Sequence, residues 1–128
     1  MAKKVLATPH APKPAGPYSQ GIISNGFLFT AGFGPQDPAT GEVAESVVEQ
    51  TRQVLRNIEA VVREAGATMG DVVKATVHLQ HLKRDFAEFN AAYIEFFDEP
   101  FPVRTTIGAQ LYDILVEIDV TVALPPET

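Results

Sequence analysis

Hydrophobic side chains follow a helical period in one long stretch of this chain. Across residues 47–65 the apolar positions recur every three or four residues, which predicts an amphipathic α-helix with one face on a core. Ser46 precedes this stretch as an N-cap, and Glu49 has the spacing of a capping box. Gly66 follows the last turn, where a glycine commonly ends a helix. The pattern therefore predicts a helix that begins after Ser46 and ends at Ala65.

Six other segments are rich in β-branched and aromatic residues, which predicts strands. Asn25 and Gly26, between the second and third segments, form the pair that a two-residue hairpin turn prefers. The fourth segment has a period of two, so Val73, Ala75 and Val77 are predicted on its buried face. The predicted strands cover residues 5–8, 19–23, 27–31, 71–82, 104–111 and 115–123.

A second helix is predicted to start at Asp85, with Glu88 completing a capping-box pattern, and to end before Pro100. The elements then follow the order β(ββ)αβαββ, in which helices and strands alternate only in the middle. This order predicts an α+β fold with two helices packed on one face of a mixed or antiparallel sheet. One side of the second helix carries a large aromatic load, namely Phe86, Phe89, Tyr93, Phe96 and Phe97.

The composition predicts one globular domain covering residues 1–128. The 128 residues are 45% hydrophobic and 20% charged, and none is a cysteine. Disulfides, thiolate nucleophiles and thiolate metal ligands are therefore excluded. Sixteen acidic and ten basic side chains give a formal net charge of −6, which argues against binding to nucleic acid. The chain lacks a signal-peptide pattern and a long apolar run, so we expect a soluble cytoplasmic protein that does not bind membranes.

One arginine lies in a stretch that favours a rigid extended backbone, residues 101–106 (FPVRTT). A guanidinium held on a strand is a planar fork for a carboxylate. A period of two places Thr106 on the same face as Arg104, and it places Glu117 and Asp119 together on one face of the last strand. We therefore expect a carboxylate across from Arg104. Two interpretations stay open: a binding site for a small carboxylic acid, or a cross-strand ion pair on an exposed sheet face.

Tyr18 ends a proline-rich arm, in which four prolines between residues 9 and 17 exclude regular structure. The preceding Pro17 fixes the direction of Tyr18, which either lines a pocket or packs on the sheet. His10 of the same arm is expected to be solvated.

Two histidines and a glycine pair are further candidates for ligand sites. His78 and His81 have the three-residue spacing of a helical metal pair, but their segment has the period of a strand and no third ligand is evident. We therefore predict no metal site.

Gly32 and Gly34 lack the further residues of a phosphate-binding loop, although their bare backbone N–H groups could bind an anion.

Several separated stretches carry a resemblance to a known family. They are residues 16–21 (GPYSQG), 30–32 (TAG), 40–42 (TGE), 65–66 (AG), 70–74 (GDVVK), 86–93 (FAEFNAAY), 102–106 (PVRTT) and 116–118 (VEI). In this order, and over nearly the full length, the chain resembles the RidA/YjgF family of reactive-intermediate deaminases. The resemblance implies a chorismate-mutase-like (bacillus type) α+β subunit that forms a homotrimeric barrel with pockets between the subunits.

The resemblance also implies roles for individual residues. Arg104 corresponds to the arginine that holds the substrate carboxylate, and Glu117 to the glutamate that positions or activates a water. Tyr18 corresponds to the tyrosine that closes the pocket from the neighbouring subunit. Gly32 lies where a backbone N–H group helps Arg104 to bind the substrate carboxylate. The pocket wall would further include Ala31, Asn90 and Thr106.

The reaction implied by the resemblance is the hydrolysis of 2-aminoacrylate-type enamines and their 2-imino acid tautomers to 2-keto acids and ammonia. It uses no metal and no cofactor. The expected partners are therefore a small 2-imino or 2-keto carboxylic acid and further copies of the chain.

The chain departs from the family pattern at three places. Ala31 stands where the best-characterised branch of the family has a serine, and Thr106 where a cysteine is common. The connection at residues 111–114 is about one residue shorter than usual. The register of the last strand could therefore differ, and Asp119 is an alternative to Glu117 as the water-positioning carboxylate.

Loss of the serine hydroxyl favours a second hypothesis, a non-catalytic trimeric regulator that binds small carboxylates or metabolites. A third hypothesis, the ribonuclease activity given to some relatives, is weakened by the net charge of −6.

Overall fold

The protein is a six-stranded mixed sheet with two α-helices on one of its faces. The computed structural model describes residues 3–126. The strands are β1 (Lys4–Leu6), β2 (Gly21–Ser24), β3 (Phe27–Thr30), β4 (Val72–Leu79), β5 (Val103–Gly108) and β6 (Val116–Ala123). The helices are α1 (Val47–Glu64) and α2 (Leu82–Tyr93), and short 3-10 turns cover Met69–Asp71 and Ile94–Phe96.

The order of the elements confirms the predicted β(ββ)αβαββ arrangement. Across the sheet the strands lie in the order β1-β2-β3-β6-β4-β5. β4 and β5 are parallel neighbours, whereas all other neighbouring strands are antiparallel. The hairpin between β2 and β3 turns at Asn25 and Gly26, whose φ angles of 53° and 81° are those of a primed turn. The predicted hairpin is therefore confirmed.

Helix α1 has the predicted ends and the predicted buried face. The Ser46 hydroxyl accepts a hydrogen bond of 3.1 Å from the backbone N–H of Glu49, and Gly66 adopts a φ of 81° after the last turn. Burying each aliphatic side chain of this face contributes about 1.5–3 kcal/mol, so packing rather than propensity stabilises the helix. The fully buried aliphatic residues are Val54, Leu55, Ile58, Val61 and Val62.

A β-bulge changes the predicted faces of β4 at its start. Val72 pairs with Val122, but the next paired residue is Lys74, so Val73 is the extra residue. Val72 is buried and Val73 is 42% exposed. The prediction that Val73 lies on the buried face is therefore wrong, because the bulge shifts the alternation by one position.

Helix α2 begins one turn earlier than predicted. Its first residue is Leu82 and its N-cap is His81, which makes no side-chain capping bond. Leu82 packs against the core, so the helix is favoured there even without the capping box expected at Asp85 and Glu88. The predicted start at Asp85 is wrong for this reason, and Asp85 is instead a buried residue whose carboxylate pairs with Arg84.

The two faces of the sheet differ in what covers them. The helix face, marked by Ala75, Val77, Ile118 and Val120, is buried under α1 and α2. The open face, marked by Thr76, His78, Glu117 and Asp119, carries the alternate residues of the same strands and is partly exposed. Neither α-helix within residues 3–126 combines the length and hydropathy that a membrane span needs.

Candidate functional site

Arg104 lies on the helix face of the sheet. β5 is parallel to β4, and Arg104 is the register partner of Ala75, which is fully buried. Its guanidinium carbon lies 4.7 Å from the ring centre of Tyr93, 5.3 Å from that of Phe89 and 6.0 Å from that of Phe86. Three rings of α2 therefore hold the guanidinium by cation–π contact, each worth about 0.5–2 kcal/mol.

The carboxylates expected across from Arg104 lie elsewhere in the sheet. β4 lies between β5 and β6, and the register places Glu117 opposite His78 and Asp119 opposite Thr76 on the open face. Among residues 3–126 no carboxylate comes within ion-pair distance of Arg104. The expectation is wrong because it took the two strands for neighbours. The cross-strand ion pair is thereby excluded for the described residues.

A cavity of about 300 Å³ opens beside Arg104. Asn90 and Tyr93 reach it from one side of α2, and its lining consists of Asn90, Tyr93, Ile94, Phe101, Pro102 and Arg104. Thr106 follows Arg104 on the same face of β5, opposite the buried Val77. The structure therefore brings two of the predicted residues, Arg104 and Asn90, into one cavity with a mainly apolar wall.

Tyr93, which the sequence shows only as one of the aromatic residues of the second helix, is a polar group of this cavity. Its hydroxyl oxygen is buried, and no described residue lies at the distance and angle of a hydrogen bond to it. Burial raises the pKa of Tyr93, and the opposing charge of Arg104 lowers it less, so the phenol is protonated at neutral pH. The available signal was its spacing of three from Asn90, which places both side chains on one side of a helix.

A second cavity, of about 310 Å³, collects the other predicted residues. Tyr18, Gly32 and Glu117 line it together. Tyr18 is 51% exposed, and its hydroxyl accepts a hydrogen bond of 2.9 Å from the backbone N–H of Ala15. The neighbouring Ala31 is held by a backbone hydrogen bond to Gln20. The remaining lining residues are Pro12, Lys13, Ala15, Phe33, Gly34, Gln36, Tyr112 and Ile114.

Glu117 rests directly on the bare backbone of Gly32. A methyl group added at Gly32 would lie 2.8 Å from Glu117 Oε1 and 3.0 Å from its carboxyl carbon, closer than such atoms normally approach. Gly32 has an ordinary backbone conformation, so the glycine is required by this close approach and not by a left-handed φ. The glycine therefore allows the carboxylate to lie at the cavity wall.

Asp119, the alternative carboxylate, lies elsewhere on the open face. It is the register partner of Thr76 and does not line the cavity that contains Tyr18 and Gly32. Burial raises the pKa of Asp119, and the charges of His78 and Lys74 oppose this shift. The geometry of the second cavity therefore favours Glu117 over Asp119.

The side chain of Gln20 anchors the proline-rich arm that contains Tyr18 by hydrogen bonds to its backbone. Gln20 is 4% exposed, accepts a hydrogen bond of 2.7 Å from the N–H of Thr8, and donates to the carbonyl groups of Thr8, Ala11 and Pro12. A buried amide can thus replace secondary structure as the anchor of an irregular segment. Gln20 lies in the GPYSQG stretch, but no local pattern in the sequence indicates that its side chain anchors the arm.

Gln20→Leu is expected to lower the free energy of unfolding by about 2 kcal/mol, because it leaves buried backbone groups of the arm without partners. Urea denaturation measures the change, and Gln110→Leu at an exposed position is the matched control. Equal stability of the two variants would show that the arm does not depend on the amide.

The histidines do not form part of a metal cluster in the described part of the chain. His78 lies on the open face and His81 at the start of α2. Within residues 3–126 no three side chains of the metal-binding types lie close enough to share an ion.

The sequence and the fold match those of known proteins. Residues 8–124 match a family described as Endoribonuclease L-PSP. A RutC family protein of Pyrococcus abyssi is 47% identical over 122 residues, which cover 93% of this chain and 95% of that protein. The 2-iminobutanoate/2-iminopropanoate deaminase of Salmonella typhimurium is 43% identical over 121 residues, covering 91% and 94%. The crystal structure of E. coli TdcF with bound serine superimposes with a TM-score of 0.90 at 36% identity, covering 95% and 99%.

Proposed function

Since this chain belongs to the RidA/YjgF family, whose matching description is Endoribonuclease L-PSP, we propose that it hydrolyses small reactive enamines and 2-imino acids to 2-keto acids and ammonia. The proposal takes its chemistry from relatives named 2-iminobutanoate/2-iminopropanoate deaminase, in Salmonella typhimurium and in Escherichia coli. The residues that would carry it in this chain are those of the two cavities.

The observation that carries the proposal is that the chain bears two incomplete half-sites. The carboxylate half-site, Arg104 with Asn90 and Tyr93, can bind an anion but contains no carboxylate of its own to act on water. The water half-site, Tyr18 with Gly32 and Glu117, has the carboxylate. The two half-sites lie in separate cavities of one chain, so a complete site requires a second copy.

Assembly as a homotrimer would bring the carboxylate half-site of one subunit to the water half-site of the next. The open face of the sheet supports such an assembly, because it exposes large apolar side chains that a lone domain leaves in water. They lie on β1, β3 and β5 and are Val5, Phe27, Phe29, Val103 and Ile107. Association would bury them in a barrel formed by the sheets.

The proposed site would need to do little chemistry of its own. Arg104 would hold the substrate carboxylate by two parallel hydrogen bonds, and its three supporting rings fix the guanidinium beforehand. Protonation of the enamine carbon, with loss of a proton from the nitrogen to solvent, gives the imine. Glu117 would then orient a water and accept its proton as the water oxygen bonds to the imine carbon. The product of this addition is a carbinolamine, and transfer of the proton from Glu117 to its nitrogen makes ammonia the leaving group. The C–N bond breaks as the hydroxyl oxygen forms the C=O double bond and loses its proton to solvent, which releases ammonia and leaves the 2-keto acid.

The direct test uses 2-iminopropanoate, generated by an amino acid oxidase and trapped with semicarbazide. If the protein hydrolyses the imine, adding it lowers the amount of trapped semicarbazone and raises the rate of pyruvate formation. An unchanged amount of semicarbazone over a range of protein concentrations would reject the deaminase proposal.

Gly32→Ala is expected to lower kcat for imine hydrolysis by roughly 10-fold without changing thermal stability. The added methyl group displaces the Glu117 carboxylate, whereas the backbone of Gly32 accepts alanine. Gly70→Ala is the matched control, because a methyl group there makes only ordinary contacts. Equal kcat values for the two variants would mean that the position of Glu117 on Gly32 does not matter.

The alternative is a trimer that binds small carboxylates without converting them. Two observations favour it. Ala31 lacks the hydroxyl of the serine that the best-characterised branch of the family has at that position, and the structurally similar E. coli TdcF was crystallised with bound serine. Calorimetric binding of 2-oxobutanoate, together with no effect in the trapping assay, is the result expected of a binder.

A further inference from the structure

His78 lies next to Glu117, the carboxylate of the water half-site. It lies on the open face of β4 and is the register partner of Glu117 on β6. Its Nδ1 atom is buried and has no hydrogen-bond partner among the described residues. Glu117 Oε1 lies 3.9 Å from this nitrogen. The two groups therefore face each other at slightly more than hydrogen-bond distance.

A short movement of Glu117 would satisfy both groups. A buried ring nitrogen without a hydrogen-bond partner is unfavourable, so a contact of about 2.7–3.2 Å, typical of an N–H···O hydrogen bond, is favoured. The Glu117 side chain is 38% exposed and can rotate. The close approach to Gly32 limits this rotation on the other side. The carboxylate is thus confined between the backbone of Gly32 and the ring of His78.

The other charged groups near His78 are poorly placed to accept a hydrogen bond from its Nδ1–H group. Lys74, on the same strand, is a donor. Asp119, on β6, faces Thr76 in the register. On the β5 side the neighbours Thr105 and Ile107 are uncharged. Among the residues that the structure describes, Glu117 is consequently the one carboxylate in direct register with His78.

We propose that His78 is a positioning residue, which donates a hydrogen bond from Nδ1–H to Glu117 and holds this carboxylate in the orientation that activates water. This inference rests on the proposed function, since it gives His78 a part in the same site. It also makes a prediction independent of activity: the neutral imidazole carries its proton on Nδ1, whereas a free histidine prefers Nε2.

The substitution test compares two replacements of His78. Phenylalanine keeps the ring volume and suits a strand, but it has no donor. Asparagine places an N–H group near the position of Nδ1. His78→Phe is expected to lower kcat roughly 10-fold with KM changed less than about 2-fold, because Arg104 still holds the substrate. His78→Asn is expected to recover most of the loss, and His10→Asn serves as the control outside both cavities.

The tautomer test uses the ring nitrogen shifts of the protein labelled with nitrogen-15. The chain has three histidines, so the signals can be assigned with single variants. We expect the Nδ1–H tautomer for His78, its loss in Glu117→Ala and its retention in Asp119→Ala.

The inference is overturned if His78 is the Nε2–H tautomer in the unaltered protein, or if His78→Phe keeps the kcat of His10→Asn. If the unaltered protein hydrolyses no imine, the proposed function fails, and the tautomer measurement alone decides whether His78 binds Glu117.

Discussion

Arg104→Ala is expected to lower kcat/KM for 2-iminopropanoate hydrolysis by roughly 10²–10³-fold, the largest effect of any single substitution in this chain. Without the guanidinium the substrate carboxylate is neither bound nor oriented. Arg104→Lys is expected to recover only a small part, because an ammonium group cannot form the two parallel hydrogen bonds or the same contact with the rings. The trapping assay described above measures both variants.

The matched control is Arg56→Ala, which removes an arginine from the exposed side of α1. It is expected to behave as the unaltered protein, because Arg56 lies outside the two cavities. If Arg104→Ala and Arg56→Ala hydrolyse the imine equally fast, Arg104 is not the carboxylate anchor.

Glu117→Gln is the second substitution with a large expected effect, a fall in kcat of about 10²-fold with KM nearly unchanged. The amide keeps the size of the side chain but cannot accept a proton from water. Asp119→Asn provides the comparison between the two carboxylates, and it is expected to leave kcat within about 3-fold. A larger loss in Asp119→Asn than in Glu117→Gln would assign the role to Asp119.

The fold could be predicted from the sequence because local signals agree with one another along most of the chain. The Ser46 cap, the left-handed Gly66 and the Asn25-Gly26 turn all lie where the sequence places them. The errors occurred where packing overrides a local pattern. The core contact of Leu82 starts α2 before its capping box, and the bulge at Val73 interrupts the alternation at the start of β4.

The site was predicted less completely, because period-two patterns give faces within a strand and not the order of strands in a sheet. Arg104 and Glu117 are 13 positions apart on consecutive strands, which suggested neighbours, but β4 separates them. Tyr93 and Gln20 are polar groups that only the three-dimensional arrangement connects to the cavities. The resemblance implied a pocket between subunits, but only the strand order shows that Arg104 and Glu117 of one chain line separate cavities.

The separation of the half-sites gives the most direct test of the account. Arg104→Ala and Glu117→Gln subunits, each inactive alone, are mixed in equal amounts, unfolded and refolded together. If a site takes Arg104 from one subunit and Glu117 from the next, each mixed trimer contains one intact site. Random assortment then restores about a quarter of the unaltered activity. Activity of the mixture no higher than that of the separate variants would contradict an intersubunit site.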